Sequence, residues 1–393
     1  MDIPVKSSST TAFIDAERCI AELQRGRAIA LTDNPPNTNQ TRGYCHIIQL
    51  IESMSDCAVE TLMAQNNCQL VITRPRALAL GLLVDSNAVC LEMNSQTSVA
   101  MLRRWAGLQP CAASQNNELA SSRLGGCPQP LAEDAFSSEK RSPNKLLSAS
   151  AALNLAHHAH ALPACIMYET HGQPGNMLGV NADVALGYSD QSGKLIKLST
   201  ASIPLATATN AELTVFREQH GNAEHVAITV GQPDFSDTVT VRIHSSCFTG
   251  DILGSMKCDC GEQLNGAITS MAENGGGVVL YISQEGRGIG LASKLLAYQL
   301  QDQGLDTIEA NHHLGFEADE RRYHAAVFML EQLGINSISL MTNNPLKIEA
   351  LRQQGVIVKS RVPSPATVNT HNARYLRTKR ERAGHLTSCD NVG

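Results

Sequence analysis

The sequence predicts an α/β protein of two domains. Its length of 393 residues suggests two or three domains and is enough to bury a core in each. Short apolar segments of strand length alternate with longer segments of helical period, as in α/β folds. One stretch, at about 112–145, is rich in Ser, Asn, Gly, Pro and charge and has no period, so we interpret it as a linker-like insertion.

The elements of the first half follow in order. Residues 13–32 read as an amphipathic helix that breaks near Gly26, followed by a strand at 28–31. Helix-like and strand-like segments then alternate from about 47 to 91. After the insertion the sequence indicates a helix and a strand at 148–160 and 164–168, and we interpret 171–210 as the connection between the halves.

The second half has a sharper pattern. Strands are predicted at 226–230, 238–243, 277–282 and 337–341. Helices are predicted at 261–273, 290–302, 320–333 and 345–353. Gly355 fits the position after the last helix, where a left-handed backbone is favourable. We place the domain boundary at 205/206.

Composition excludes several classes of protein. With 42% hydrophobic and 17% charged residues, the chain is neither a disordered tail nor a coiled coil. The net charge of −6 gives no general attraction to nucleic acid. No apolar run is long enough to span a membrane, and the first residues do not resemble a secretory signal. We therefore expect a cytoplasmic protein with reduced thiols and with neither a nucleic-acid nor a membrane partner.

Three cysteines carry the strongest chemical signal. Cys247, Cys258 and Cys260 have the spacing C-x10-C-x-C within a Gly- and Asp-containing segment. Thiolates are soft ligands that suit Zn²⁺. The sequence leaves three interpretations: buried apolar thiols, a closed structural zinc with His244 as fourth ligand, and an open catalytic zinc that keeps a position for water. The poor core pattern of Cys-Asp-Cys beside glycine argues against buried apolar thiols, and because only three cysteines lie close together we favour the open zinc.

Two predicted strand ends carry groups suited to phosphate. The run from Gln284 to Gly290 has three glycines around Arg287, between a strand and a helix, where backbone N–H groups can approach an anion. A plain turn is the competing interpretation. Glu285, in the same run, has a carboxylate that suits the donor edge of guanine or a magnesium ion. The run from Thr342 to Lys347 also joins a strand to a helix, and ligands of open α/β sheets bind at such ends.

A third candidate pair is Asp319 and Arg321. Their spacing at a predicted helix start is compatible with simple capping and a solvated ion pair. It is equally compatible with catalysis, and the residues alone do not decide between the two.

From about 211 to 385 the chain resembles GTP cyclohydrolase II. The resemblance runs through RIHSSCFTGDILGSMKCDCGEQL, LYISQEGRGIGLASKLLAYQLQDQGLDTIEAN, LGFEADER, LMTNNPLKIEAL and the tail element YLRTKRERAGH. It implies a homodimeric enzyme that uses zinc, with Mg²⁺ on the nucleotide. The implied reaction hydrolyses GTP, opens the guanine ring and releases formate and pyrophosphate in riboflavin biosynthesis. We expect residues from about 205 onward to carry this activity alone.

The resemblance also implies roles for individual residues. The zinc ligands are Cys247, Cys258 and Cys260. The proton acceptor is Asp319, the nucleophile is Arg321, and Tyr298 also takes part in the chemistry. The implied GTP contacts are Arg242, Ile243, His244, Ser245, Ser246, Gln263, Glu285, Gly286, Arg287, Thr307, Thr342 and Lys347.

One departure from the family's sequence pattern leaves other functions to be considered. The family usually has Glu immediately before the first zinc cysteine, and here the residue is Ser246. A paralogue acting on another nucleotide or base, as in uracil catabolism, is one alternative. A nucleotide-binding pseudoenzyme is the other, and the retained cysteines, Asp319 and Arg321 argue against it.

The first half, 1–205, resembles 3,4-dihydroxy-2-butanone-4-phosphate synthase in a degenerate form. The segments AELQRGRAIALTDN, LVITRPRALALGL and PACIMYE carry this resemblance. The acidic magnesium loop of that family falls on 34–41, where no carboxylate is present. Its later histidine and glutamate fall on Ser148 and Ser150. Because the enolisation needs metal ligands and a base, we expect this domain to lack that activity.

Overall fold

The computed structural model describes residues 9–32, 44–64, 67–93, 97–108, 143–172, 174–191, 194–220 and 223–364. It divides into two compact units: the first comprises Met1–Asp190 and Ala292–Glu320, the second Gln191–Leu291 and Arg321–Gly393. The loop at 34–41, nearly all of the insertion and the tail element after 364 lie outside the described residues. The boundary at 205/206 stays a prediction.

The first unit is built on a six-stranded sheet. Its strands are β1 (Ile29–Thr32), β2 (Tyr44–Leu50), β3 (Gln69–Thr73), β4 (Ala88–Glu92), β5 (Ala164–His171) and β6 (Gly179–Asn181), in the spatial order β4-β3-β5-β2-β1-β6. Its first helices are α1 (Ser9–Gln24), α2 (Asp56–Met63), α3 (Arg74–Ala79), α4 (Val99–Trp105), α5 (Pro143–His158) and α6 (Ala182–Gln191). All neighbouring strands are antiparallel except β1 and β6.

Alternation along the strands gives this sheet a core on each face. Val71 packs with apolar residues of α1, α5 and α6, whereas its neighbours Leu70 and Ile72 pack with those of α2, α3 and α4. Successive side chains of a strand point to opposite faces, so one buried strand serves both cores. The result is a three-layer arrangement, as the α/β pattern predicts.

The second unit is built on a seven-stranded sheet. Its strands are β7 (Leu195–Ser202), β8 (Ala211–Glu218), β9 (Glu224–Gly231), β10 (Thr238–Ser245), β11 (Gly276–Ile282), β12 (Ser337–Met341) and β13 (Ile357–Val362). The remaining helices of the chain are α7 (Cys260–Glu273), α8 (Gly290–Asp302), α9 (Thr307–Leu314), α10 (His324–Leu333) and α11 (Pro345–Gln353). Of these, α9 and most of α8 belong to the first unit.

The strand order β13-β12-β10-β11-β9-β8-β7 positions the candidate site. Strands β13, β12, β10 and β11 run parallel, and β11, β9, β8 and β7 are antiparallel neighbours. Helices α10 and α11 cover one face, and α7 covers the other. The carboxyl ends of β12, β10 and β11 therefore meet at one edge of the sheet.

The predicted strands and helices of the second half are found, with one boundary corrected. The helix expected at 320–333 begins at His324. Strands β8 and β13 and helix α9 were not predicted, and the presumed connection at 171–210 contains β6, α6 and β7. Gly355 has the expected left-handed backbone, with φ of 87°. No helix within the described ranges has the length and apolarity that a membrane span requires.

Candidate functional site

The three predicted cysteine ligands lie together in the second unit. Cys247 lies two residues after the end of β10, Cys260 is the first residue of α7, and Cys258 lies two residues before it. Their Sγ atoms are all within 4.8 Å of one another, and those of Cys247 and Cys258 are 3.7 Å apart. Among the described residues, this is the group of three or more possible ligands that the fold brings within reach of one metal ion.

The surroundings of the cysteines fit a metal ion. A Cβ added at Gly250 would lie 2.8 Å from Sγ of Cys258 and 3.0 Å from Sγ of Cys247, so only glycine fits against this cluster. Hydrogen bonding with Cys247 is the main cause that raises the pKa of both Cys258 and Cys260. Binding of a metal ion to such a cluster releases protons from its thiols. The donor set is that of zinc, with three protein ligands.

His244 is turned toward a carboxylate. Its Nε2 lies 3.2 Å from both carboxylate oxygens of Asp251, and its ring stacks on Tyr281 with centroids 5.6 Å apart. Burial lowers the pKa of His244, which favours the neutral ring. This geometry supports the three-thiol interpretation over a site that His244 closes.

Asp251 is a functional candidate that the sequence reasoning missed. Its side chain is 4% exposed, and its carboxylate accepts hydrogen bonds from the backbone N–H of Cys247, at 2.9 Å, and from the Tyr281 hydroxyl, at 3.0 Å. The sequence offered one signal for it, since Asp251 is a carboxylate four residues after the predicted ligand Cys247 in a segment that contains glycine. Asp251 thus orients the loop that presents the first cysteine.

Arg242 is a buried cation at the end of β10. It is 6% exposed and donates to Oε1 of Gln263 at 2.7 Å and to Oγ of Ser364 at 2.8 Å. Gln263 in turn donates to Asp259 at 2.5 Å. The Nε of Arg242 has no hydrogen-bond partner within the described part of the chain. Burial lowers the pKa of Arg242 to about 10, so it remains protonated at neutral pH.

A second buried cation lies at the neighbouring strand end. Lys347, on the first turn of α11, is 8% exposed and donates to the carbonyl oxygen of Ile243 at 3.0 Å. Thr342 is buried after β12, where its hydroxyl accepts from the backbone N–H of Asn344 at 3.0 Å. The Asn344 side chain then caps α11. The fold therefore gathers the predicted residues of β10 and β12 at one edge of the sheet.

The glycine-rich turn after β11 is tied to the cysteine loop. Gly286 and Arg287 both have left-handed backbone, with φ of 62° and 63°, which is unusual for arginine. The Glu285 carboxylate accepts from the backbone N–H of Phe248 at 2.6 Å and from that of Gly286 at 3.0 Å. Because Phe248 follows Cys247 directly, the turn and the candidate metal ligand are held together.

Gln284 links this turn to the segment that carries Arg321. Its Nε2 donates to Oγ of Ser245 at 3.1 Å, and its Oε1 accepts from the backbone N–H of Arg322 at 3.1 Å. Arg321 and Asp319 precede α10 rather than start it, and α10 has no side-chain cap. The capping interpretation of this pair is therefore wrong. Gln284 was part of a predicted motif but was not predicted as a site residue.

The other predicted residues fall in the first unit. Thr307 is the first residue of α9, after a capping box formed by Asp306 and Glu309. Tyr298 lies on α8 with Nζ of Lys294 5.8 Å from its ring centroid. Asp319 is exposed in the connection between α9 and α10. The family roles of these residues stay predictions.

The second unit thus combines three gathered thiols with two buried cations at adjacent parallel strand ends. Fold and site define an α/β protein suited to hold a soft metal ion and an anionic ligand.

Comparison with known proteins agrees with this class. Residues 197–363 match the family model GTP cyclohydrolase II. A GTP cyclohydrolase-2 from Azospirillum brasilense is 39% identical over 386 residues, which are 94% of this chain and 93% of that protein. A GTP cyclohydrolase-2 from Azotobacter vinelandii is 52% identical over 171 residues, 44% of this chain and 82% of that protein. The chain belongs to the GTP cyclohydrolase II family and is a hydrolase.

One solved structure also matches: the crystal structure of RibBX, a two domain 3,4-dihydroxy-2-butanone 4-phosphate synthase from A. baumannii. The sequences are 15% identical, the match covers 89% of this chain and 99% of that one, and the TM-score is 0.28. A similarity this low carries no argument about the first half.

Proposed function

We propose that this protein hydrolyses GTP with a zinc ion, opens the guanine ring and releases formate and pyrophosphate for riboflavin biosynthesis. The observation that carries the proposal is the cysteine cluster, in a chain of this family, at the sheet edge that also bears Arg242 and Lys347. By the same resemblance, we propose a homodimer that binds the nucleotide with Mg²⁺.

The chain supplies fixed positive charge for the phosphates. Arg242 is held by Gln263 and Ser364, and Lys347 by the carbonyl of Ile243, so both cations are in place before a ligand arrives. Arg287 adds a guanidinium on a turn whose left-handed backbone fixes its direction. Such preorganised cations stabilise charge that develops on phosphate oxygens.

The cysteines would hold the metal next to the base. When bound, zinc supplies a Lewis acid that activates water for attack on the guanine ring. We assign the donor edge of guanine to the Glu285 carboxylate, which hydrogen bonds from the N–H groups of Phe248 and Gly286 hold in place. Loss of the ring carbon as formate follows from two hydrolytic attacks.

Arg321 is the proposed nucleophile for the phosphate. A nitrogen of its guanidinium attacks the α-phosphorus, the bond to the bridging oxygen breaks, and pyrophosphate leaves. Asp319 accepts the proton, and water then cleaves the P–N bond and restores Arg321. Gln284 supports this step, because it fixes the backbone of the following residue, Arg322.

Ser246 favours a second candidate, hydrolysis of another nucleotide or base. The backbone N–H of Ser246 donates to the carbonyl of Ile282 at 2.8 Å, so the main chain is fixed while the side chain is shorter than the usual Glu. We expect Ser246→Glu to leave GTP turnover in place if GTP is the substrate. A loss of turnover of ATP, UTP or uracil in that variant would instead identify the alternative.

The deciding experiment incubates the zinc-loaded full chain with GTP and measures formate and pyrophosphate. We expect both products, and we expect Arg321→Ala to lose pyrophosphate release far more than nucleotide affinity, because Arg242, Lys347 and Arg287 remain. Arg322→Ala is the matched control, since its hydrogen bond to Gln284 is made by the backbone.

Two results would contradict the proposal at different points. Absence of formate from GTP with the wild type removes the proposed function. Pyrophosphate release from Arg321→Ala at the wild-type rate removes the arginine step alone. We also expect no conversion of ribulose 5-phosphate, since Ser148 is fully buried in α5 at the position of the family's histidine.

A further inference from the structure

The segment from Thr307 to Glu320, called the α9 segment below, packs with the first unit although it lies inside the family match at 197–363. It begins with Thr307, which the family resemblance implies as a GTP contact, and it contains Asp319, the proton acceptor of the proposed function. Its contacts with residues 73–107, within the first unit, therefore attach residues of expected catalytic use to the half that lacks predicted catalytic groups of its own.

Arg76, on α3, joins the ends of two helices. It is 6% exposed, and its Nε donates to the carbonyl of Trp105 at 2.8 Å. A second nitrogen, Nη1, donates to the carbonyl of His313 at 2.5 Å, and Nη2 donates to the carbonyl of Arg104. These carbonyls lie in the last turns of α4 and α9, where the partial charge is negative and no intrahelical donor follows. A buried guanidinium therefore holds the end of α9 against α4.

A second contact fixes the residue after α9. The Thr73 hydroxyl donates to the carbonyl of Gly315 at 2.6 Å and also caps α3. A Cβ added at Gly315 would lie 3.1 Å from Oγ1 of Thr73, and one added at Gly107 would lie 3.1 Å from the carbonyl of His313. The backbones approach so closely that side chains larger than glycine would push α9 away.

The chain beyond Gly315 continues this fixed geometry toward Asp319. Phe316 is 1% exposed. The Asn311 side chain donates to the carbonyl of Glu317 at 3.3 Å, and the N–H of Glu317 donates to the Glu320 carboxylate at 2.8 Å. A displacement of the α9 end would therefore move the residues around Asp319.

We propose that the first half of the chain positions the α9 segment for catalysis, with Arg76 and Thr73 as positioning residues. This rests on the proposed function, in which Asp319 accepts a proton, and on the GTP contact that the family resemblance implies for Thr307. It replaces the expectation that residues from about 205 onward are sufficient. The Azotobacter protein matches only 44% of this chain, so we expect this role only in relatives that match both halves.

Misplacement has a large kinetic effect, since a shift of about 1 Å in a reacting group can cost roughly 100-fold in rate. The helix α9 has eight residues, so its two ends are about 12 Å apart at 1.5 Å per residue. The contacts of Arg76 and Thr73 at the C-terminal end of α9 thus fix the direction of this helix and of the segment that follows it.

The test compares Arg76→Met with Arg103→Met in the zinc-loaded full chain. Arg103 is the matched control, because it donates to Asp56 and to the carbonyl of Met54 within the first half. Three quantities are measured: kcat and KM for GTP, zinc per chain, and hydrogen–deuterium exchange of peptides covering 307–320.

For Arg76→Met we expect faster exchange in the α9 segment, a kcat lowered by about tenfold or more and unchanged zinc. For Arg103→Met we expect wild-type exchange there and a kcat within about twofold of wild type. Wild-type exchange or wild-type kcat in Arg76→Met overturns the proposal, and so does an equal loss of kcat in Arg103→Met. Absence of GTP turnover in the wild type instead overturns the proposed function, and with it the catalytic part of this inference.

A second pair of variants covers the case in which Arg76→Met does not fold. Thr73→Val removes the hydroxyl at nearly constant volume, and Thr73→Ser retains it. We expect Thr73→Val to lower kcat and speed exchange in the α9 segment, and Thr73→Ser to restore both. Equal behaviour of the two variants would show that the hydroxyl positions nothing.

Discussion

Cysteines serve different purposes in the two units. The first unit has buried cysteines at separate positions of its helices and strands and, for Cys68, just before β3; they are Cys19, Cys45, Cys68, Cys90 and Cys165. Burial raises the pKa of Cys19 to about 12 and raises that of Cys165 further, so these thiols stay protonated. In the second unit the thiols of Cys247, Cys258 and Cys260 lie within 4.8 Å of one another. A buried thiol on its own acts as a small apolar side chain, and a metal site requires that the fold gather several.

The largest effect on activity and zinc content is expected at the cysteine cluster of the second unit. Cys258→Ser should abolish GTP turnover and reduce zinc to well below one per chain, because a hydroxyl is a far weaker zinc ligand than a thiolate. Cys90→Ser is the matched control, since Cys90 is 7% exposed and Cys258 is 8% exposed. It should keep its zinc. Zinc content by atomic absorption and formate release check both, and a fully loaded, active Cys258→Ser enzyme would refute the metal assignment.

An intermediate effect is expected at Asp251. Asp251→Asn keeps the size of the side chain but removes the charge that accepts from the N–H of Cys247 and the Tyr281 hydroxyl. Loss of such a supporting group typically weakens metal affinity by about 10–100-fold. Competition with a zinc chelator measures that affinity. Asp234→Asn, in a surface turn capped through Ser236, is the control, and equal affinities of the two variants would contradict the role of Asp251.

The smallest effect concerns thiol reactivity. Cys57 is exposed, whereas Cys165 is fully buried with a raised pKa. Alkylation requires the thiolate, so iodoacetamide at about pH 8 should modify Cys57 in the folded protein and leave Cys165 unmodified until denaturant is added. Peptide mass spectrometry compares the two residues. Equal labelling of both without denaturant would mean that the first unit opens readily.

Local sequence patterns were sufficient to predict most of the strands and helices of the second unit. The short apolar segments at 226–230 and 277–282 became β9 and β11, and the run from Thr342 to Lys347 joins β12 to α11 as the sequence indicates. Asp251 and Gln284 were missed as site residues because their role depends on which backbone N–H groups the fold brings to them. No local pattern reveals that Arg76 binds the carbonyl of His313, since 237 residues separate the two.

The separation of the two segments of the first unit has a consequence for how the chain folds during synthesis. Thr73 and Gly315 are 242 residues apart, and Arg76 and His313 are 237 apart. A growing chain folds from its N-terminus, so the six-stranded sheet is made long before α9 exists. The Arg76 guanidinium, which donates to the carbonyls of Arg104 and Trp105, can reach its last partner only after His313 has been synthesised. Closing so long a loop is slow, and the late arrival of α9 makes its docking a natural final step of folding.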